Sequence, residues 1–227
     1  MIVHDCAQGS AEWWDLRIGI PTPSRFARIL TASKLAYSKG ARPFVAELLA
    51  EQMLNRPLDY TEGDTLWTSR GSELEDEARK WYAFHRDVTV TEVGFCTTDD
   101  GTVGCSPDGL VGADGGLEIK CRSAKKHMVT ILGIEPIADP LQVQGNLWVT
   151  GRDWWDIVAY NPELPKKITR QFPMPRFQEA IEKHLGAFLE EMDDARQALE
   201  AMGDVIEDGD ELLSQLIASI WAKTTDG

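Results

Sequence analysis

No apolar run approaches the roughly 18 residues that a membrane-spanning helix needs, so no membrane partner is expected. The first 17 residues carry an acid at position 5 and lack an apolar secretory core, which predicts an intracellular protein. Cysteine is scarce. Cys6, Cys96, Cys105 and Cys121 form no C-x-x-C pair and have no closely spaced histidine. They read as reduced, small core residues, with a zinc or iron–sulfur site as the alternative. His4, His85, His127 and His184 are scattered as well, without the H-x-x-x-H spacing of a helical metal site or an evident triad. Internal repeats and low-complexity linkers are absent.

Positive charge is in short supply: 23 Lys and Arg against 37 Asp and Glu give a net charge of −14. That balance excludes a uniformly cationic surface, but the charge is unevenly spread. Residues 177–227 hold 13 acids and three bases, a balance of −10, which leaves −4 for residues 1–176. Residues 16–46 contain Arg17, Arg25, Arg28, Lys34, Lys39 and Arg42 and no acid. Lys120, Arg122, Lys125 and Lys126 form a second basic cluster. Each cluster can meet a polyanion or stand as a solvated patch.

What is present supports one packed core. With 227 residues, 43% hydrophobic, the chain reads as a single domain over 1–227, residues from about 203 forming an acidic helical extension. Pro21 and Pro23 break the chain before Ser24, and Thr22 or Ser24 can cap a short helix through Leu30. Helical spacing recurs over 43–54, from Ser72 to about His85, over 140–150 with Pro140 in the first turn, and over 177–199. A last amphipathic stretch follows at 212–221. Residues 88–96 alternate as a strand, Asp99-Asp100-Gly101 reads as a turn, and 102–106 returns antiparallel. Asp114-Gly115-Gly116 reads as another turn before the alternating strand 117–121, and 155–160 and 167–173 complete the strands. The expected class is α/β, a central mixed β-sheet flanked by helices.

The chemistry concentrates in Pro107-Asp108, nine intervening residues, then Glu118-Ile119-Lys120. This is the pattern of metal-dependent PD-(D/E)xK nucleases. Two carboxylates are hard oxygen ligands suited to magnesium, which can also hold a scissile phosphate. On a strand, Lys120 shares the face of Glu118, while Leu117, Ile119 and Cys121 take the other. An ammonium there can orient an attacking water. Chance alone produces a PD followed 9–20 residues later by [DE]xK in about 5% of chains this long. The plainer alternative is a turn at Asp108-Gly109 and a solvated strand face at Glu118 and Lys120.

Further blocks narrow the choice. These are Trp13, Leu16, Arg17 and Gly19, then Ser24, and Gly71, Glu75, Ala78 and Arg79 at helical spacing. C-S-P-D-G-L (105–110), G-L-E-I-K-C (116–121), Q-V-Q (142–144) and W-V-T (148–150) follow in order. Together they resemble the lambda-type phage exonucleases of the YqaJ viral recombinase family, from about residue 12 to 160. The resemblance implies a restriction-endonuclease-like core. It implies that Glu75 completes the metal site with Asp108, Glu118 and the backbone carbonyl of Ile119, and that Gln142 helps orient it. Without the resemblance, Glu75 and Gln142 are ordinary helix residues. Arg17 and Ser24 resemble a pocket for a 5′-terminal phosphate; the plainer alternative for Arg17 is a surface ion pair, for which Asp15 is a candidate partner. Lys34 stands where the family has a further phosphate-binding arginine, keeping the charge without the bidentate fork. Leu66 or Trp67 corresponds to an apolar wedge between terminal base pairs.

The resemblance implies a Mg2+-dependent (Mn2+ substituting) 5′→3′ exonuclease on linear double-stranded DNA. Its products are 5′-mononucleotides and 3′ overhangs for recombination. It further implies a ring-shaped homotrimer, a single-strand annealing protein as partner, and a phage or prophage origin in the bacterial cytoplasm. The alternatives are an endonuclease with the same core and a non-catalytic DNA-binding or annealing module.

Overall fold

The computed structural model describes residues 1–58 and 65–202, the side chains of 65–73 excepted. In chain order the elements are β1 (Ile2–His4), α1 (Ala11–Arg17), a 3-10 turn (Pro23–Arg28), α2 (Ala41–Leu54) and α3 (Thr65–Arg86). There follow β2 (Val90–Thr91), β3 (Phe95–Thr97), β4 (Gly104–Cys105), β5 (Gly109–Val111) and β6 (Gly115–Cys121). After these come α4 (Ala124–Ile131), α5 (Pro140–Thr150), β7 (Trp154–Tyr160), β8 (Lys167–Gln171) and α6 (Pro175–Met202).

Five strands make the central sheet in the order β2-β5-β6-β7-β8, and β1-β3-β4 form a smaller one. Every pairing is antiparallel except β6 with β7, in register from Gly115↔Trp154 to Cys121↔Tyr160. A parallel pair needs a crossover, and α4 and α5 supply it. The expected α/β class with a mixed sheet between helices is the observed architecture.

The pleat decides which residues meet which helices. Leu117 and Ile119 of β6, with Val158 and Tyr160 of β7, pack against Ala78 and Tyr82 of α3. Trp155, Ile157 and Ala159 face the other way, into a larger core with Phe26, Phe44, Leu141, Leu147 and the apolar face of α6. Glu118 and Lys120 therefore leave β6 on the side opposite α3's apolar contacts. Fully buried Asp156 pins α3 to the sheet. It receives Nε and Nη2 of Arg170 at 2.7 and 2.9 Å and the Tyr82 hydroxyl at 2.8 Å. The Arg86 guanidinium lies 3.5 Å away.

Three local expectations are corrected. Helix α3 opens at Thr65 rather than Ser72: an interior glycine costs only about 1 kcal/mol, and the packing of Ala78 and Tyr82 holds the helix downstream. Residues 88–96 are two short strands in different sheets, separated at Gly94. A Cβ there would lie 2.0 Å from the Cys6 carbonyl oxygen, so the incoming chain divides the run. Gly115 and Gly116 belong to β6 rather than to a turn, because the rings of Trp154 and Trp155 lie over them, 2.1–2.2 Å from where a Cβ would stand. The turn sits two residues earlier, at 112–114, with Gly112 at φ +55°. Third-strand pairing by β5, together with α1 and α4, had no counterpart in the sequence reading. The stretch 212–221 lies outside the described residues.

Removing one member of the Asp156 cluster leaves buried charge without a partner. Asp156→Ala is expected to lower stability by about 3–5 kcal/mol, read as a lower urea midpoint at unchanged slope. A loss under 1 kcal/mol would show that the cluster does not hold α3.

Candidate active site

Glu118 sits mid-strand on β6 with 3% of its surface exposed. A carboxylate in that position needs donors, since an uncompensated buried charge costs several kcal/mol. Three converge on it. Lys120 Nζ lies 2.6 Å from Oε1, Gln142 Nε2 donates to Oε1 at 2.9 Å, and Asn146 Nδ2 donates to Oε2 at 3.3 Å. Gln142 and Asn146 are four residues apart on α5, hence on one helical face. Burial opposes the ammonium of Lys120, but the charge and hydrogen bond of Glu118, with Asp108 behind it, outweigh burial and raise its pKa.

Asp108 lies just before β5, its Oδ2 accepting the Ile119 N–H at 2.5 Å and its own N–H donating to the Leu117 carbonyl. Burial first, and then the charge of Glu118, push the Asp108 carboxyl well above the usual range against the pull of the Ile119 N–H. Glu75, half-buried on α3, is also raised: burial leads, Arg79 and Lys120 oppose, and Glu118 adds to the rise. Arg79, one helical turn after Glu75, donates Nε to the Asp108 carbonyl at 2.9 Å and pairs with Asp76 and Glu92. The structure thus brings Glu75, Asp108, Glu118, Lys120 and Gln142 into one electrostatic group. Asn146 and Arg79 are the additions. Asn146 was legible in principle as the residue one turn beyond Gln142.

Beside this group a cavity of about 210 Å³ is lined by Trp14, Arg17, Thr22, Arg25 and Glu51. Arg17 does not pair with Asp15. Its Nη1 donates to Ser106 Oγ at 3.0 Å and its guanidinium lies 4.3 Å from the Trp13 ring centre. Burial, then the charge of Arg25, lower its pKa to about 10, so it remains cationic at neutral pH. Ser24 is exposed and meets the cavity only through Thr22, oxygen to oxygen at 3.2 Å. Lys34 is exposed in the following turn, with no contact to the cavity. The side chains of Leu66 and Trp67 lie outside the described residues. Cavity and acids are physically joined: Ser106 is two residues from Asp108, and Gly145 on α5 admits the 3-10 turn, where a Cβ would stand 2.8 Å from Phe26 and Pro23.

The sequence from residue 12 to 153 matches the model of the YqaJ-like viral recombinase domain. The chain belongs to this family. The crystal structure of an alkaline exonuclease (LHK-Exo) from Laribacter hongkongensis is similar at 32% identity with a TM-score of 0.72, covering 85% of this chain and 97% of that one. The same enzyme in complex with dAMP matches equally. A phage-related exonuclease from Haemophilus somnus 129PT, 15% identical over 79% of this chain and 96% of its own, shares the fold with a TM-score of 0.57. No curated protein matches the chain by sequence.

Members of this family use divalent metal, and the donor set can be tested for it. Among the described residues no three acid, histidine or cysteine side chains form a ready-made ligand cage. The chemistry nevertheless fits. Asp108, Glu118 and Glu75 are hard oxygen donors, two of them raised by burial and then by their mutual repulsion, with Lys120 as the cation bonded to Glu118. Half of the first basic cluster is engaged by glutamates, since Arg25 pairs with Glu47 and Glu51, Arg28 with Glu47, and Arg42 with Glu191, while Lys34 and Lys39 are exposed.

Because the Asp108 shift is upward, its charge opposes folding; its contribution favours the fold at low pH and is lost as pH rises through the raised value. Asp108→Asn should therefore raise the metal-free melting midpoint by about 2–4 °C. A lowered metal-free midpoint would contradict the repulsion.

Proposed function

We propose that the chain is a magnesium-dependent exonuclease that digests the 5′-ended strand of linear duplex DNA to 5′-mononucleotides, leaving 3′ single-stranded overhangs for recombination. The coarser statement rests on the family and on the alkaline exonuclease at 32% identity: the chain is a DNA exonuclease of the phage type. The observation that carries the finer reading is buried Glu118, held by Lys120, Gln142 and Asn146 beside Asp108 and Glu75. That such an enzyme releases mononucleotides accords with the relative crystallised with dAMP.

Asp108, Glu118, Glu75 and the Ile119 carbonyl would hold the magnesium. When bound there, the ion supplies positive charge that stabilises the phosphate as negative charge builds on it. The chain's own groups do the rest. Lys120, kept as an ammonium by Glu118, orients the attacking water and donates a hydrogen bond toward the phosphate. Gln142 and Asn146 fix the rotamer of Glu118, so that its oxygens stay aimed at one point. Arg17, cationic and with no carboxylate partner among the described residues, holds the 5′-terminal phosphate in the adjoining cavity, with Ser24 acting through Thr22 and Lys34 supplying only distant charge. Leu66 or Trp67 forms the wedge. On this reading residues 1–227 are one nuclease domain that assembles as a DNA-threading homotrimer in the bacterial cytoplasm and works with a single-strand annealing protein.

Linear duplex labelled at either 5′ or 3′ ends tests polarity and metal together. With Mg2+ the 5′ label is expected to be released first as mononucleotide, and chelator should stop release. First release of the 3′ label, or cutting of covalently closed circles, would reject the reading in favour of opposite polarity or an endonuclease. Lys120→Ala should lower kcat about 10²–10³-fold with DNA binding intact. Arg17→Ala should instead equalise the rates on 5′-phosphorylated and 5′-hydroxyl ends. Full turnover in the first variant, or an unchanged ratio in the second, removes that residue from its role.

A further inference from the structure

Asp108 is framed by bonds on both sides. Its N–H donates to the Leu117 carbonyl at 3.2 Å, and its Oδ2 accepts the Ile119 N–H at 2.5 Å. The carbonyl before it, that of Pro107, accepts from Gln8 Nε2 at 2.9 Å. Glu75 comes from a helix, which makes no backbone ladder with that loop. Among the described residues, one hydrogen bond ties α3 to it: Arg79 Nε donates to the Asp108 carbonyl at 2.9 Å. The guanidinium is steadied in turn by Asp76, 2.5 Å from its Nη1, and by Glu92, 3.2 Å away. Glu75 and Arg79 are four residues apart and share a helix face. The other anchor of α3 is Tyr82 and Arg86 on Asp156. It begins two turns beyond Glu75, about 10 Å along the axis.

That distance matters for a metal. Magnesium takes oxygens at about 2.0–2.1 Å and close to octahedral angles. Carboxylates from two separate elements therefore have to be placed within about 0.5 Å of the required geometry. Asp108 is placed by β6. The bond nearest to Glu75 that sets its distance from Asp108 is that of Arg79. The guanidinium also supplies charge: burial raises the Glu75 carboxyl, and Arg79 is the strongest pull in the other direction.

We propose that Arg79 is a positioning residue that fixes the spacing between the Glu75 and Asp108 carboxylates, and through that spacing the affinity for the metal ion. It acts through Glu75 and is not itself a ligand. This rests on the nuclease reading above, in which the two acids hold the ion together.

The test is equilibrium binding of Mn2+ to DNA-free protein, with the unbound ion read by electron paramagnetic resonance. Wild type is compared with Arg79→Gln, Arg79→Lys, Glu75→Gln and the double variant Glu75→Gln, Arg79→Gln, and with Asp108→Asn as the control for the site itself. Groups that orient metal ligands contribute about 10–100-fold to affinity, so Arg79→Gln should weaken Mn2+ binding about tenfold. Arg79→Lys keeps the charge and a donor, and should lose about threefold or less. In the Glu75→Gln background, Arg79→Gln should weaken binding less than about twofold, because the spacing it sets no longer matters. Asp76 and Glu92 are exposed partners, so the melting midpoint should move by about 3 °C or less. Bare charge predicts the opposite sign, since losing a cation beside the site would tighten the ion's binding. Unchanged or tighter binding by Arg79→Gln overturns the proposal. So does an equal loss in both backgrounds, which would make Arg79 a bond of the fold alone. In either case, loss of Mn2+ binding by Asp108→Asn still upholds the metal site of the nuclease reading. Wild-type protein that binds no Mn2+ overturns both.

Discussion

The structure turns on a carboxylate placed where a strand would ordinarily put an apolar side chain. Glu118 is buried in the middle of a sheet, and its charge has to be met from within the protein. That need fixes Lys120 two residues along, turns the Gln142 and Asn146 face of α5 inward, and makes the parallel β6–β7 crossover part of the site. Asp108 and Glu75 then add negative charge where there is already too much of it for a metal-free protein. Stability is given up at this point, as functional sites commonly require.

The rest of the fold isolates that tension. On the far face of the sheet, Asp156 is satisfied by two arginines and a tyrosine, which anchors the helix that carries Glu75. On the near face, Gly145 lets the 3-10 turn close on α5, and Arg17 reaches Ser106 just upstream of Asp108.

Much of this was legible in the residues. The alternation of Leu117-Glu118-Ile119-Lys120 placed charge and core on opposite faces, Pro140 marked the start of α5, and the spacing of three and four marked α6. The acid set could be gathered only with help from the resemblance, since nothing local links Glu75 on a helix to Asp108 at a strand end. Other features depended on partners distant in sequence. Arg42 looked free until α6 delivered Glu191, and Arg28 until α2 turned Glu47 toward it. The break at Gly94 depends on the approach of Cys6, and the glycines of β6 on tryptophans nearly forty residues later. Local pattern carries periodicity and caps; it does not carry which chain segment will fill a space.

The charge pattern follows the same logic. Acids on α2 and α6 neutralise the arginines around the 3-10 turn, so the net charge of −14 does not repel DNA evenly. The most direct test of the central claim is anomalous diffraction from crystals grown with Mn2+. The account predicts a peak about 2.0–2.3 Å from carboxylate oxygens of Asp108 and Glu118. An Mn2+ site away from both carboxylates, in a protein that still degrades DNA, would contradict it.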